Sequence, residues 1–232
     1  MIGKEYIISL LLLCSTIISQ EWDYSADIAE IKTVDGVKIK NFQGNVLINH
    51  DELQLNTIQA IEYIKKNELH LYGDVKMIDG NNIIKCDTLV YFKDTESCLA
   101  KSNVFLYQDD RQIMSDTLFY WDSSDSIKAQ GNIKLIQLNN NRKILANHMS
   151  MYRLDSLTQI LKLSNSAQLF SISQSKISED SPFRSFENKM QSENINLIMY
   201  NDTIKSMDMY GMAITDYHVI KDSILMGINN IS

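Results

Sequence analysis

Apolar and polar residues alternate along most of this chain, and the alternation is interrupted at a fixed spacing. A turn residue followed by Asn or Asp leads into an apolar segment four times, at Gly44-Asn45-Val46, Gly73-Asp74-Val75, Ser102-Asn103-Val104 and Gly131-Asn132-Ile133. The apolar residues that end these phrases are numbered 46, 75, 104 and 133, which is a step of 29 residues each time. A strict period in this range indicates a protein built by stacking one supersecondary unit.

A second phrase recurs inside each unit. It consists of a small residue, an acid or amide, any residue, an apolar residue, any residue and a large one, and it occupies residues 86–91 and 115–120, with looser copies at 146–151 and 192–197. We interpret residues 59–63 as a shifted first copy. Polar turns such as Lys66-Asn67 and Ser123-Ser124-Asp125 follow the second phrase and lead to the next unit.

The alternation has a period of two, so the units are predicted to be β-strands whose side chains point to two faces. Counting by twos from each opening places mostly small or apolar residues on one face and mostly polar residues on the other. The candidate interior residues are Val46, Ile48, Leu69, Leu71, Val75, Met77, Leu89, Tyr91, Val104, Leu106, Leu118, Tyr120, Ile127, Ile133, Leu135, Met149, Leu161 and Leu163. Four small residues on the same face would leave room in the interior near the point where each strand folds over, namely Ala100, Ser102, Ala129 and Gly131.

The Gly, Ser and Asn residues of the openings fall in the middle of long strand patterns, where Gly usually marks a bend or bulge. Each long strand can therefore fold over at its opening. The sequence predicts an all-β fold in which stacked units form two facing antiparallel sheets, with the apolar faces inward, as an open roll.

The repeat becomes irregular after residue 164. An opening-like phrase at Asn165-Ser166-Ala167 comes later than the period requires, and another follows at Gly211. Residues 171–189 are rich in Ser, Gln and Glu and contain Pro182, so we predict a loop insertion there. The last unit, 211–232, is shorter than a full period, and a further return strand would be expected after it.

The N-terminus resembles a secretory signal peptide. Lys4 precedes an apolar stretch over residues 6–18, which is followed by small polar residues. We therefore expect residues 1–20 to be a signal peptide or an N-terminal anchor and residues 21–232 to form one exported domain. The net charge of −7 and pI near 5.1 argue against nucleic acid as a partner and against docking on anionic headgroups through a basic patch.

No arrangement of residues suggests an enzyme, and no cofactor or metal is expected. The four His residues are scattered, and the recurring Asp87, Asp116 and Asn147 are expected to stabilise bends through side-chain to backbone hydrogen bonds. A turn near Asp94 would pair Cys98 with Tyr91 and leave Cys86 too far away for a disulfide, so both thiols are expected to be free core residues.

The chain resembles the OstA-like family over roughly residues 35 to 215. The resemblance lies in the openings, the small-Asp-x-apolar-x-Tyr segments, the 29-residue step and the N-terminal signal. That family includes the periplasmic LptA-type bridge proteins of lipopolysaccharide transport. The acidic composition, rich in Ile and Asn, resembles the divergent Bacteroidota-type branch.

The resemblance implies a β-jellyroll that is open along one edge. Its apolar interior would hold the acyl chains of lipid A, and the protein would join itself or other transport proteins end to end through strand edges. The inward residues then correspond to the lipid-holding surface. The alternation fits equally a filled core, and the rival hypothesis is an exported structural or adhesive β-solenoid, or a scaffold, that binds no lipid.

Overall fold

The computed structural model describes residues 21–34 and 36–231, so the expected signal peptide lies outside the described residues. Fifteen strands occupy most of this part of the chain. They are β1 (Asp23–Ser25), β2 (Ile28–Val34), β3 (Val37–His50), β4 (Leu53–Tyr63), β5 (Glu68–Asp79), β6 (Asn82–Phe92), β7 (Ser97–Gln108), β8 (Arg111–Trp121), β9 (Ser126–Gln137), β10 (Arg142–Arg153), β11 (Thr158–Ser175), β12 (Arg184–Tyr200), β13 (Thr203–Tyr210), β14 (Ile214–Lys221) and β15 (Ile224–Ile231).

The predicted all-β class is confirmed, and all the strands belong to one antiparallel sheet. From β3 to β12, each strand pairs with the next one along the chain. At the N-terminal end, β1 and β2 pair with two different parts of β3, and at the C-terminal end β13 and β14 pair in the same way with β12. A single 3-10 turn, Ile64–Lys66, lies among the described residues. No helix within this part of the chain has the length and apolar character needed to cross a membrane.

Each long strand bends at the phrase that the sequence repeats. Gly44 and Asn45 have φ of 73° and 44°, and Gly131 and Asn132 have φ of 79° and 47°. Two successive left-handed residues cannot continue a strand, and the ladder between β3 and β4 accordingly shifts register between Gln43 and Val46. Equivalent shifts occur at every pairing from β3 to β12.

The bends divide the sheet into two halves that face each other. We call the half that contains residues 37–43 the first half-sheet and the half that contains residues 46–50 the second half-sheet. Trp22 stacks on His50 of the second half-sheet with ring centroids 4.4 Å apart, and it lies 5.8 Å from Tyr91 of the first. The two predicted facing layers are thus the halves of one folded sheet, because the backbone ladder continues along the same strands past every bend.

Parity places the apolar side chains between the two half-sheets. In β5 the residues at 69, 71, 75 and 77 are buried, and those between them are not. Ser102 is exposed, contrary to its predicted inward position, because it takes a left-handed φ of 62° at the bend. The small residues at 102 and 131 therefore serve the backbone bend and do not make room inside the roll.

Two further details of the repeat differ from expectation. The first copy of the second phrase was predicted to be shifted, at residues 59–63. It begins instead at Thr57, which is buried like Cys86 and stands 29 residues before it, so this copy keeps the period. Residues 171–189 are mostly strand, because Ser171–Ser175 pair with residues 184–188 as an extension of the β11–β12 hairpin. Only residues 176–183 form the connection between these strands.

The cysteine prediction is confirmed. Cys98 pairs with Tyr91 across the β6–β7 ladder, and Cys86 and Cys98 are both free and buried.

Candidate functional site

All eighteen predicted interior residues are buried in one apolar cluster between the half-sheets. The second half-sheet contributes Val46, Ile48, Val75, Met77, Val104, Leu106, Ile133 and Leu135. The first half-sheet contributes Leu69, Leu71, Leu89, Tyr91, Leu118, Tyr120, Ile127, Met149, Leu161 and Leu163. That these residues bind lipid stays a prediction.

The sequence predicted only the first-half-sheet residues of β6, β8, β10 and β11, so the interior residues in the other half of these strands were missed, as were those of β4 and β12. Ile84, Ile113, Ile144 and Leu169 are at most 1% exposed and belong to the same cluster, as do Leu53, Leu55, Ile195, Leu197 and Met199. The same count by twos would have found most of them. Ile84 lies two residues before Cys86, for example, and Ile113 two residues before Ser115.

The interior is filled by these side chains along its length. Ile48, Leu71, Leu106 and Leu118 all have zero relative exposure, although they belong to four different strands. The apolar face is therefore closed to solvent in the described structure, and the side chains of the two half-sheets pack on one another as in a protein core.

The strand ends of the two half-sheets meet along one edge, which we call the seam. Its first lip consists of the turns at residues 93–96, 122–125, 154–157 and 201–202, and its second lip of those at 51–52, 80–81, 109–110 and 138–141. Polar side chains bond across the seam, so the open edge implied by the family resemblance is bridged.

At the N-terminal end of the seam, a buried carboxylate joins the two half-sheets. Glu62 of the first half-sheet accepts hydrogen bonds from Tyr24 at 3.0 Å and from Lys93, and Lys40 lies 2.9 Å from it. Burial by itself raises the pKa of Glu62, but the hydrogen bonds from the two lysines outweigh this effect and lower it overall. Burial, followed by the nearby Glu62 charge, raises the pKa of Tyr24. Glu62 is thus held as a charged anchor.

The middle of the seam is acidic on both lips. Asn82 of the second half-sheet donates to the Tyr120 hydroxyl at 2.9 Å, and this hydroxyl donates to Asp122 on the first lip at 2.9 Å. A cavity of about 380 Å³ lies over this point, with Asp79, Asp122 and Asp125 among its lining residues. Burial, with the charges of Asp122, Glu52 and Glu96, raises the pKa of Asp79 to about 6.

The C-terminal part of the seam carries arginines. Arg111 of β8 pairs with Asp202, which lies on the opposite lip, and Arg142 donates to the backbone carbonyl of Asp202 at 3.4 Å. Asn140 donates to the same carbonyl at 3.2 Å. A second cavity, of about 470 Å³, has Arg111, Arg153 and Gln159 among its lining residues. Burial and the neighbouring Arg111 lower the pKa of Arg142, although the Asp202 charge opposes them.

Several buried polar atoms beside the seam lack a hydrogen-bond partner. They are Gln108 Oε1, Asp110 Oδ2, Gln137 Nε2, Arg142 Nε and Gln159 Oε1. A buried polar atom without a partner costs about 1–3 kcal/mol relative to its hydrated state. These atoms weaken the closed seam relative to a fully paired contact, and in its C-terminal part the lips are joined by the ion pair of Arg111 and by the hydrogen bonds to the Asp202 carbonyl.

The recurring acids lie at the bends on the outer surface. Asn103 and Asn132 donate to Asp87 and Asp116 with N–O distances of 2.8 Å in both cases. The predicted bend role of these carboxylates therefore holds, but their partners are asparagine side chains and not backbone groups. In the next unit His148, and not the adjacent Asn147, contacts Asn165 at 2.9 Å.

The bonds at the bends connect the left-handed residue of one strand to the neighbouring strand, and this is the geometry that the repeated Asn or Asp supports.

The family model described as OstA-like protein matches residues 23–123, which comprise β1 to β8. This segment is OstA-like. The match confirms the family resemblance over these residues, while its extension to about residue 215 and the Bacteroidota-type branch stay predictions. A search of curated proteins found no match.

The roll exposes apolar side chains at both ends of its stack. Ile28, Ile31 and Val34 of β2 are half or more exposed at the N-terminal end. At the other end, β14 and β15 expose Ile214, Tyr217, Val219, Met226, Ile228 and Ile231. These edge strands also carry backbone groups that no further described strand pairs with.

The structure shows no candidate metal site within residues 21–34 and 36–231. No three His, Cys, Asp or Glu residues in these ranges lie close enough together to hold an ion.

Proposed function

We propose that this protein is a periplasmic, lipid-binding bridge component of lipopolysaccharide transport. Its apolar interior would hold acyl chains, and its strand edges would join it to further copies or to other transport proteins. The OstA-like match supports this role, because the family resemblance links the repeat to lipopolysaccharide transport. The mechanism would be passive, since the sequence contains no nucleotide-binding loop.

One observation carries the proposal: the apolar interior is continuous along the stack. It extends without a break from Phe42 in β3 to Met199 in β12. Acyl chains would gain about 0.8 kcal/mol for each methylene that leaves water for such an interior. Because side chains now fill it, binding requires the half-sheets to separate or the side chains to repack. The unbranched Met77, Met149 and Met151 are suited to repacking.

The ends of the stack support the bridge part of the proposal. An exposed apolar edge strand is a template for pairing with another chain. The roll has such edges at β2 and at the β14–β15 hairpin, so that copies could add to one another along one axis.

The complete burial of the interior favours a second candidate, an exported scaffold that binds no lipid and uses only its edges. A packed interior is what such a protein needs for stability.

Lipid binding is tested by purifying the protein without detergent and by photo-crosslinking in cells. A photoreactive residue at Leu118 or Ile133, which are 0% and 2% exposed and face the interior, should crosslink to lipopolysaccharide. The matched controls carry it at Phe119 or Lys134, which are the outward-facing neighbours on the same strands.

The transport proposal is contradicted if no lipid co-purifies and the inward positions crosslink no more than the outward ones. Thermal melts of the four variants check that each still folds. The scaffold candidate is supported by that outcome if the variants melt as the parent does.

A further inference from the structure

We propose that the middle of the seam, above Tyr120, is the entrance through which acyl chains reach the interior. This inference rests on the proposed lipid binding and adds where and how the roll opens. The entrance lies between the β5–β6 turn on the second lip and the β6–β7 and β8–β9 turns on the first.

Few contacts hold the lips together at this point. Asn82 and Gln108 each make one hydrogen bond across the seam, to Tyr120 at 2.9 Å and to Asp125 at 2.8 Å. Like charges gather at this point, since Glu52 and Asp79 on the second lip line the same cavity as Asp122 and Asp125 on the first. Arg153 pairs with Asp125 along the first lip at 2.7 Å, and among the described residues it makes no ion pair with the second lip.

The two ends of the seam are held more firmly. Toward the N-terminus, Glu62 is bonded to Tyr24 and Lys93, and the Lys93 ammonium lies 4.2 Å from the Trp22 ring centroid. Toward the C-terminus, Arg111 pairs with Asp202 while only 8% of its side chain is exposed. An opening confined between these two anchors would leave the stack intact.

Tyr120 joins the interior to this stretch of the seam. The Tyr120 ring is 1% exposed and belongs to the apolar cluster, whereas its hydroxyl bonds to groups of both half-sheets. Parting the lips would break the Asn82 bond, hydrate the unpaired Gln108 Oε1 and expose the cluster next to Cys98, which pairs with Tyr120 across the β7–β8 ladder.

The proposal is tested by locking the lips together. Asn82 and Asp122 contact the same hydroxyl oxygen from opposite lips, so a short bifunctional thiol reagent can join N82C to D122C. The matched control is N49C/Q54C, whose side chains are 3.3 Å apart within the second half-sheet alone. The probe is the fluorescent fatty acid cis-parinaric acid.

We expect the crosslink between the lips to weaken probe binding by about tenfold or more and the control crosslink to leave it unchanged. Equal binding by the locked and unlocked N82C/D122C protein would overturn the entrance while leaving lipid binding intact. If the unlocked variants and the parent all fail to bind the probe, the proposed lipid binding fails, and the entrance fails with it.

A second measurement needs neither crosslinking nor lipid. Cys98 has zero exposure beneath the proposed entrance, whereas Cys86 lies next to the bend, away from the seam. In N82A, which loses the bond across the seam, alkylation of Cys98 should accelerate several-fold with no change at Cys86, as resolved by peptide mapping. N56A, which alters an asparagine of β4 away from the seam, should change neither rate.

Unchanged Cys98 labelling in N82A, or equal acceleration at both thiols, would overturn the local opening, because global unfolding exposes both cysteines together.

Discussion

At the scale of single residues, the bends depend on pairs that accept left-handed backbone. Glycine takes this conformation without strain, whereas a residue with a Cβ is strained there by about 1–2 kcal/mol. The second residue of each pair, Asn or Asp, tolerates it because its side chain can bond locally. Asn132 does so by donating to Asp116 at 2.8 Å. The residues of the repeated phrase therefore stabilise the bend both through their backbone conformation and through this hydrogen bond.

We predict that Gly131→Ala destabilises the roll by about 2 kcal/mol or more. The added Cβ would lie 2.9 Å from the Asp116 Cβ, and the residue would keep a φ of 79°. Gly36→Ala is the matched control, since Gly36 has a φ of 76° and no atom within 4 Å of the added Cβ. Urea unfolding should show the larger loss for G131A. Equal losses would mean that the close approach at the bend contributes nothing.

A second residue-scale prediction concerns Asp79. Its pKa is raised to about 6 in the folded protein, against an ordinary value of 3.8, so folding favours its protonated form. This contribution to stability is fully present below about pH 4 and is lost as the pH rises through 6. Asp79→Asn, which stays neutral, should therefore be more stable than the parent at pH 7–8, with the difference vanishing below pH 4.

Thermal melts across this pH range measure the effect. Asp208→Asn, which makes the same substitution on the exposed outer face of β13, is the matched control. A D79N protein that follows the parent at every pH would contradict the raised pKa of Asp79, which burial and then the neighbouring carboxylates produce.

At the scale of elements, the alternation of apolar and polar residues predicted the strands and their buried faces. It could do so because successive side chains of a strand point to opposite faces regardless of distant contacts. The loop prediction for 171–189 failed for a related reason. Polar composition predicts exposure, and exposed residues can still pair in an extended hairpin such as Ile172 with Glu187. At the C-terminal end, Ile214 pairs with Gln191 of β12, and β15 forms the free edge of the second half-sheet.

We predict that the edges at both ends of the stack mediate association. Ile31→Lys in β2 and Ile228→Lys in β15 each place a charge on an exposed edge, at residues that are 64% and 61% exposed. Either change should weaken self-association by tenfold or more in sedimentation velocity, because a desolvated lysine in a strand pairing is unfavourable. Leu138→Lys, in a turn and 54% exposed, is the control and should have no effect. Unchanged association in both edge variants would contradict the edge-pairing proposal.

At the scale of the whole molecule, the arrangement of the charges and the closure of the apolar interior could not be predicted from the order of residues along the chain. The net charge of −7 describes the sum but not its arrangement, in which Asp79 and Asp122 from distant turns meet across one seam. The like charges there and the arginine contacts farther along together suggest a roll that opens in its middle and stays anchored at its ends. The locked-lip experiment tests this suggestion directly.

The sequence by itself determined the strands, their bends and the inward face, since period-two alternation and left-handed Gly-Asn pairs are local properties of the backbone. Only the tertiary structure decided that the inward residues of both half-sheets pack into a filled interior. It also decided which turns meet at the seam, because Asn82 and Tyr120 stand 38 residues apart and come together only when the sheet folds over. Contacts of this kind depend on how the bends add up along the whole stack, and no local pattern records that sum.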